Sequence, residues 1–311
     1  MKKIAIGVDV GGSHVSSAAF DIAAKKYLEN TFAESDLNNQ AKAEIIIQAW
    51  GNTIKQSINK VGSENIAGIG IAIPGPFDYE KGIPLFTGEN IKYEKIYGLN
   101  VPETLRLYLD LPPDFPIRFI NDAAAFAIGE AWIGKAKTVT RSLSITLGTG
   151  FGSTFLNESL PVSSGRKVPK QGYLWHVDFE DGIADDYFST RGLLKRYKQL
   201  SGKSATNAKE IAEAAESDEK ARIVFSDFGT KLIKLLKPWF LKFDVEVLVI
   251  GGNISKAFDL FWPAMHNELQ KEELNVKIEL SKLKETASIV GSARLIEPDF
   301  WTQVSPLLKN M

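Results

Sequence analysis

Cysteine is absent from the 311 residues, and histidine and methionine occur only three times each. Without thiols the chain can form no disulfide, no cysteine-ligated zinc site and no thiol nucleophile, and a reducing compartment suits it. No window approaches the ~20 consecutive apolar residues of a membrane-spanning helix. The apolar opening of MKKIAIGVDVGG is interrupted at Asp9, Gly11 and Gly12, so it reads as a first strand rather than a signal peptide, and a cytoplasmic location is expected. An excess of one charge is also missing. With 37 basic and 38 acidic residues the net charge is −1, which gives no general attraction to nucleic acid or to an anionic membrane. Low-complexity segments and obvious linkers are lacking too. What remains is a chain with 44% hydrophobic residues, long enough for two domains with a core each.

Hydrophobic periodicity divides the chain into alternating strands and helices, the mark of an α/β class. Strands are expected at 3–10 and 16–21, with a third antiparallel one at 25–31, then at 67–72 and 117–120. Helices are expected at 41–61, with Ile45, Ile46, Ala49, Trp50 and Ile54 on one face, at 101–109 and at 123–133. A second set repeats the plan. Its strands fall at 142–147, 153–156, 245–250 and 276–280, and its helices at 189–197, 208–215, 221–240, 258–273 and 288–296. The polar segment 161–182 carries little periodicity.

Four short segments follow β-branched runs in a fixed order: VDVGGSH at Val8–His14, NDAAA at Asn121–Ala125, TLGTGFG at Thr146–Gly152 and VIGGN at Val249–Asn253. Glycine permits positive φ and close backbone approach, so Asp9-Val10-Gly11-Gly12-Ser13 can cradle an anion through its N–H groups, with a hydroxyl donor from Ser13. Asp9 could hold Mg²⁺ through water, since hard cations take oxygen ligands. The plain alternative is a tight hairpin, and no Gly-Lys-Ser/Thr follows to make a P-loop. Gly148-Thr149-Gly150-Phe151-Gly152 is a second turn of the same kind. Asn121-Asp122 places a carboxylate where a strand gives way to a helix; alone, Asp122 reads as an N-cap. Gly251-Gly252 enters a helix after a strand and could let a flat nucleoside lie on the backbone; the alternative is an ordinary turn. Two glycine turns able to face each other across a cleft, with an Asp between them in sequence, have the layout of a sugar kinase.

Taken with GIGIAIPGPFDYEKG at Gly68–Gly82 and NDAAAFAIGEAWIG at Asn121–Gly134, these segments resemble the sugar kinases of the actin/hexokinase/Hsp70 superfamily, and more narrowly the ROK family of repressors and kinases. The resemblance implies a two-domain, actin-like ATPase fold, that is, a duplicated ribonuclease H-like α/β unit. It implies a smaller domain over 1–122 joined by a C-terminal helix at about 293–311, and a larger one over 123–292. It implies ATP and Mg²⁺, a hexose substrate with glucose favoured, and a homodimer. Residue by residue, it makes Asp9, Gly11, Gly12 and Ser13 the first phosphate motif and Gly148, Thr149, Gly150 and Gly152 the second. Gly251 and Gly252 match the adenosine motif. Asp122 matches the catalytic base, and Gly75, Asn90 and Asn121 match sugar contacts.

The chain departs from the family where a Glu-x-Gly-His sugar motif is usual: it has Tyr173-Leu174-Trp175-His176, with His176 kept and Tyr173 in place of the Glu. The cysteine-rich zinc loop is replaced by the short stretch Val177–Ile183, so no zinc site is expected. Asp185 stands for a second sugar-binding Glu. A phenol can donate and accept where a carboxylate only accepts, so these changes bear on which sugar is read. Mannose, fructose, amino sugars and a polyphosphate donor stay open. So does a sugar-binding regulator that has lost catalysis; its DNA-binding form is disfavoured because the chain begins at the first strand. A structural, filament-forming member of the superfamily is the remaining rival.

Overall fold

The computed structural model describes residues 3–88 and 92–311, which form two compact units: 1–134 with 285–311, and 135–284. The first opens with β1 (Ile4–Val10) and β2 (His14–Asp21), an antiparallel pair joined by the first glycine turn. The expected third strand, 25–31, is only β3 (Lys26–Tyr27); β4 (Ala33–Asp36), which the sequence did not announce, also pairs with β2. Helix α1 (Ala43–Asn59) buries Ile46, Ile47, Trp50, Ile54 and Ile58, whereas Ile45 is exposed. The apolar stripe is therefore turned from the expected one: three consecutive isoleucines fit more than one helical face, and packing selects the face that carries Trp50. Next come β5 (Ile66–Ile73), the small hairpin β6 (Phe77–Asp78) and β7 (Ile83–Pro84), α2 (Val101–Leu109), β8 (Ile117–Asn121) and α3 (Asp122–Trp132). The sheet runs β3-β2-β1-β5-β8, with β1, β5 and β8 parallel.

The second unit repeats this plan. β9 (Arg141–Leu147) and β10 (Phe151–Asn157) form its glycine-turned hairpin, extended by β11 (Leu160–Pro161). A two-stranded ribbon, β12 (Asp178–Phe179) with β13 (Gly182–Ile183), leads into α4 (Ala184–Phe188) and α5 (Thr190–Ser201). Then follow α6 (Ala208–Ala214), α7 (Glu219–Phe243), β14 (Val247–Gly251), α8 (Phe258–Lys271) and β15 (Lys277–Leu280). The sheet order is β11-β10-β9-β14-β15, with β9, β14 and β15 parallel. β14 is buried along its whole length, as a central parallel strand must be. Its core joins Leu143, Phe155, Leu232, Leu236, Ile250 and Phe261.

The chain then returns to the first unit as α9 (Thr286–Arg294) and α10 (Pro298–Val304). The boundaries differ from those expected. α3 belongs with the first unit, because α9 packs along it and onto β1 and β5, so the unit expected to be the smaller is the longer one. The expected terminal helix at 293–311 is likewise α9 followed by the separate α10, with Pro298 starting the new helix. Close approach explains the small residues in this packing. A Cβ on Gly70 would meet the Ser292 carbonyl carbon at 2.5 Å, and one on Gly291 the Ala125 carbonyl carbon at 2.7 Å.

Candidate active site

The residues singled out by sequence fall into two groups, one on each unit. In the first unit, Asp9 ends the buried run of β1 and Asp122 opens α3 just after β8, so both carboxylates lie at the C-terminal ends of parallel strands. That is where open α/β sheets place ligand-binding groups. Asn121, not Asp122, caps α3: its side-chain oxygen accepts from the N–H groups of Ala123 (3.0 Å) and Ala124 (3.2 Å). Asp122 is left free of that duty, and its Oδ1 accepts from Ala123 N–H at 2.8 Å. Burial raises the Asp122 carboxyl above the usual range, opposed by the Ala123 N–H, the Lys92 charge and Asn121. Burial also pushes Asp9 up to about 8, helped by the neighbouring charges of Asp122 and Glu285.

The first glycine turn is closed by Gly11 N–H donating to the His14 carbonyl at 3.0 Å. It is held from below by two side chains: the Tyr93 hydroxyl donates to the Gly11 carbonyl, and the Asn39 amide donates to the Gly12 carbonyl. Ser13 Oγ lies 3.3 Å from His14 Nδ1. Gly75 precedes a cis peptide to Pro76, and a Cβ there would touch the Tyr79 hydroxyl at 3.4 Å. That hydroxyl donates to the Ile73 carbonyl (3.1 Å) and receives the Asn121 amide (3.3 Å), so Tyr79 ties Gly75 to Asn121. Asn90, the remaining expected sugar contact, lies outside the described residues.

In the second unit, Gly148 N–H turns back to the Gly150 carbonyl at 3.1 Å, and Thr190 donates to the Gly148 carbonyl through both its N–H (2.8 Å) and its hydroxyl (2.9 Å). Phe151 N–H is taken by Asp185 Oδ1 at 2.7 Å, and Asp185 Oδ2 pairs with Arg191 at 2.7 Å. Among the described residues the N–H groups of Thr149 and Gly150 have no hydrogen-bond partner, and the Cβ position of Gly148 is open. Asp185, expected as a sugar ligand, thus has one oxygen bracing the turn and the other paired with Arg191 of α5. Gly252 has φ +83°, and a Cβ there would meet the Leu147 carbonyl carbon at 2.8 Å. Strand β9 packs against the Cβ side of Gly252, so no other residue fits there. Gly251 is the buried last residue of β14. His176 Nδ1 is buried without a hydrogen-bond partner among the described residues, and the ring lies against Trp175 at 5.0 Å. Burial, with Lys170 adding to it, lowers its proton affinity despite Asp178. Tyr173 is half-buried in the same loop, which Leu174 N–H anchors to Ser153 Oγ at 2.7 Å.

A model of the ROK family matches residues 5–298. The chain belongs to the ROK family. It is 26% identical over 93% of its length to the N-acetyl-D-glucosamine kinase of Mannheimia succiniciproducens, covering 98% of that protein. It is 23% identical over 94% of its length to the xylose repressor of Caldicellulosiruptor bescii, covering 78% of it. Among solved structures, the ROK family glucokinase from Streptomyces griseus in complex with glucose and AMPPNP matches with a TM-score of 0.73 and 21% identity, over 94% of this chain and 98% of that one. The fold is the two-domain, actin-like ATPase fold of ROK proteins.

Where a zinc loop is usual in the family, this chain uses rings and ion pairs. Phe179 packs on Tyr187 (5.1 Å) and Phe188 (5.4 Å), Lys231 pairs with Glu180 at 2.5 Å, and Tyr187 donates to Asp181. A cavity of about 370 Å³ opens beside this ribbon, floored by Phe188, Leu193 and Phe228; it holds none of the residues singled out from sequence. Sequence reasoning missed Asn39, Tyr79, Lys92 and Tyr93. Tyr79 sits inside the Gly68–Gly82 match, but the other three have no local signal, because their partners lie 27 to 82 residues away.

Proposed function

We propose that this ROK protein is an ATP-dependent hexose kinase, with Asp122 as the base. The observation that carries the reading is the pairing, on one unit, of a half-buried carboxylate released from capping with a glycine turn whose Gly12 and Ser13 N–H groups have no partner among the described residues and can meet a phosphate. Asp122 would take the proton of a sugar hydroxyl as that oxygen accepts the terminal phosphoryl group and ADP departs. Burial raises its proton affinity, which strengthens it as a base, while the Ala123 N–H keeps it oriented. The turns on the two units act by positioning and by charge stabilisation.

Mg²⁺ suits Asp9. That carboxylate feels the negative charges of Asp122 and Glu285, a repulsion a divalent cation would relieve. Such an ion would be held by that one carboxylate, water and the phosphates of the nucleotide. Bound there, it would neutralise phosphate charge. Asn121, Gly75 and Asn90 remain proposed sugar contacts of the first unit, and Tyr173 and His176 are proposed sugar contacts of the second, where His176 Nδ1, without a partner among the described residues, supports a polar ligand at that loop. Glucose is our first choice of sugar, since the uncharged, bulky Tyr173 in place of Glu disfavours an acetamido group. The relatives named N-acetyl-D-glucosamine kinase make the acetylated sugar the competitor. A non-catalytic sugar sensor is the second reading, favoured by the engagement of both Asp185 oxygens within the protein. ATP consumption measured with glucose, mannose, fructose, N-acetylglucosamine and N-acetylmannosamine tests the proposal, with polyphosphate as alternative donor. Turnover with glucose or mannose above the acetylated sugars is expected; sugar binding without turnover on any of them would favour the sensor.

A further inference from the structure

Lys92 draws attention because of where its neighbour fixes it. Tyr93 is fully buried, with φ +61°, its ring against Trp50 (5.8 Å) and Phe86 (5.5 Å). Its N–H donates to the Asn39 carbonyl at 2.9 Å, its hydroxyl donates to the Gly11 carbonyl, and the Asn39 side chain donates to the Gly12 carbonyl. Residue 93 is thereby riveted under the first glycine turn, which leaves residue 92 lying over it. The Lys92 amine lies 3.1 Å from the position a Cβ on Gly12 would take, with its Cε at 3.4 Å. The same charge favours the ionised form of Asp122. Among the described residues no carboxylate comes within ion-pair distance of this half-buried amine. A lysine held against a phosphate-type turn, its charge acting on the base and without an ion-pair partner among the described residues, has the position of a phosphate-binding cation.

We propose that Lys92 binds the terminal phosphate of the nucleoside triphosphate at the first glycine turn. This rests on the kinase reading and adds a residue that none of the sequence motifs contains. The terminal phosphate is indicated over the inner ones because the amine lies against Gly12 and its charge acts on Asp122. The group that passes to the hydroxyl facing Asp122 is the last phosphoryl of the donor. A methyl on Gly12 would lie 3.1 Å from the amine, so the amine would have to give way by a few tenths of an ångström.

The test is calorimetric binding of AMPPNP and of ADP, each with Mg²⁺, to wild type, Lys92→Met, Lys92→Arg and Gly12→Ala, with a thermal melt of each. Wild type should bind AMPPNP more tightly than ADP. Lys92→Met should lose about tenfold to a hundredfold in AMPPNP affinity, the loss of one charge-assisted hydrogen bond, and far less in ADP affinity. Gly12→Ala should shift the same ratio in the same direction, and Lys92→Arg should recover part of it. A folded Lys92→Met with the wild-type AMPPNP-to-ADP ratio overturns the assignment while leaving the kinase reading intact. Should Lys92→Met not fold, a wild-type ratio in Gly12→Ala overturns it equally. Wild type that binds neither nucleotide defeats both the assignment and the kinase reading.

Discussion

Replacing Asp185 separates two roles for the residue at which sequence and structure differ most. If it braces the second glycine turn, Asp185→Ala leaves Phe151 N–H, on a residue 2% exposed, without its 2.7 Å acceptor. An orphaned buried donor costs about 1–3 kcal/mol. The lost Arg191 pair adds little, because Arg191 is 65% exposed and such pairs are worth about 0–1 kcal/mol. A total near 2–3 kcal/mol in a unit of this size lowers Tm by roughly 5–10 °C. Asp185→Asn keeps an acceptor for Phe151 and loses only the ion pair, so its Tm should fall by no more than about 3 °C. Differential scanning calorimetry gives the Tm values, and titration calorimetry with AMPPNP and with glucose gives the affinities. The alanine variant should weaken AMPPNP more than glucose, since the turn it loosens is the proposed second phosphate turn. An alanine variant that melts within a degree or so of wild type and loses only sugar affinity would refute the bracing role and restore Asp185 as a sugar ligand.

Asp122→Asn should lower turnover by ~10²–10⁴-fold while sugar affinity by calorimetry stays close to wild type, because an amide still hydrogen-bonds but cannot take the proton; near-normal turnover would remove Asp122 as the base. Gly291→Ala should destabilise by about 1–3 kcal/mol in urea unfolding, since its Cβ would lie 2.7 Å from the Ala125 carbonyl carbon, with backbone on both sides unable to yield cheaply; an unchanged midpoint would mean α9 can shift on α3. Asp218 accepts from Lys220 N–H at the start of α7 and from Lys203 and Tyr197, and the Lys203 hydrogen bond, first among these, lowers its carboxyl to about 2. Its folded value is below its unfolded one, so its contribution to stability is complete above about pH 4 and fades as the pH falls through about 2. Asp218→Asn should therefore lower Tm at pH 6 and converge on wild type near pH 2; an equal gap at both pH values would contradict that.

Contiguous residues determined much of this protein. Strand and helix types followed from periodicity, and helix α2 at Val101–Leu109 from its apolar spacing. The two glycine hairpins, and the two carboxylates at strand ends, were legible because turn chemistry and strand termini are recorded in neighbouring side chains. The ROK family was legible from the order of four such segments. Tertiary structure decided what those segments are bound to. It chose Ile47 over Ile45 for the buried face of α1, brought α9 back to the first unit, and gave the cap of α3 to Asn121, which released Asp122. It set Tyr93, 82 residues on, beneath Gly11, and Asp185, 34 residues on, against Phe151. Spacing along the chain encodes local geometry, whereas a contact between distant segments depends on how whole elements pack. The glycine turns could therefore be found from sequence, but the side chains that brace and charge them could not.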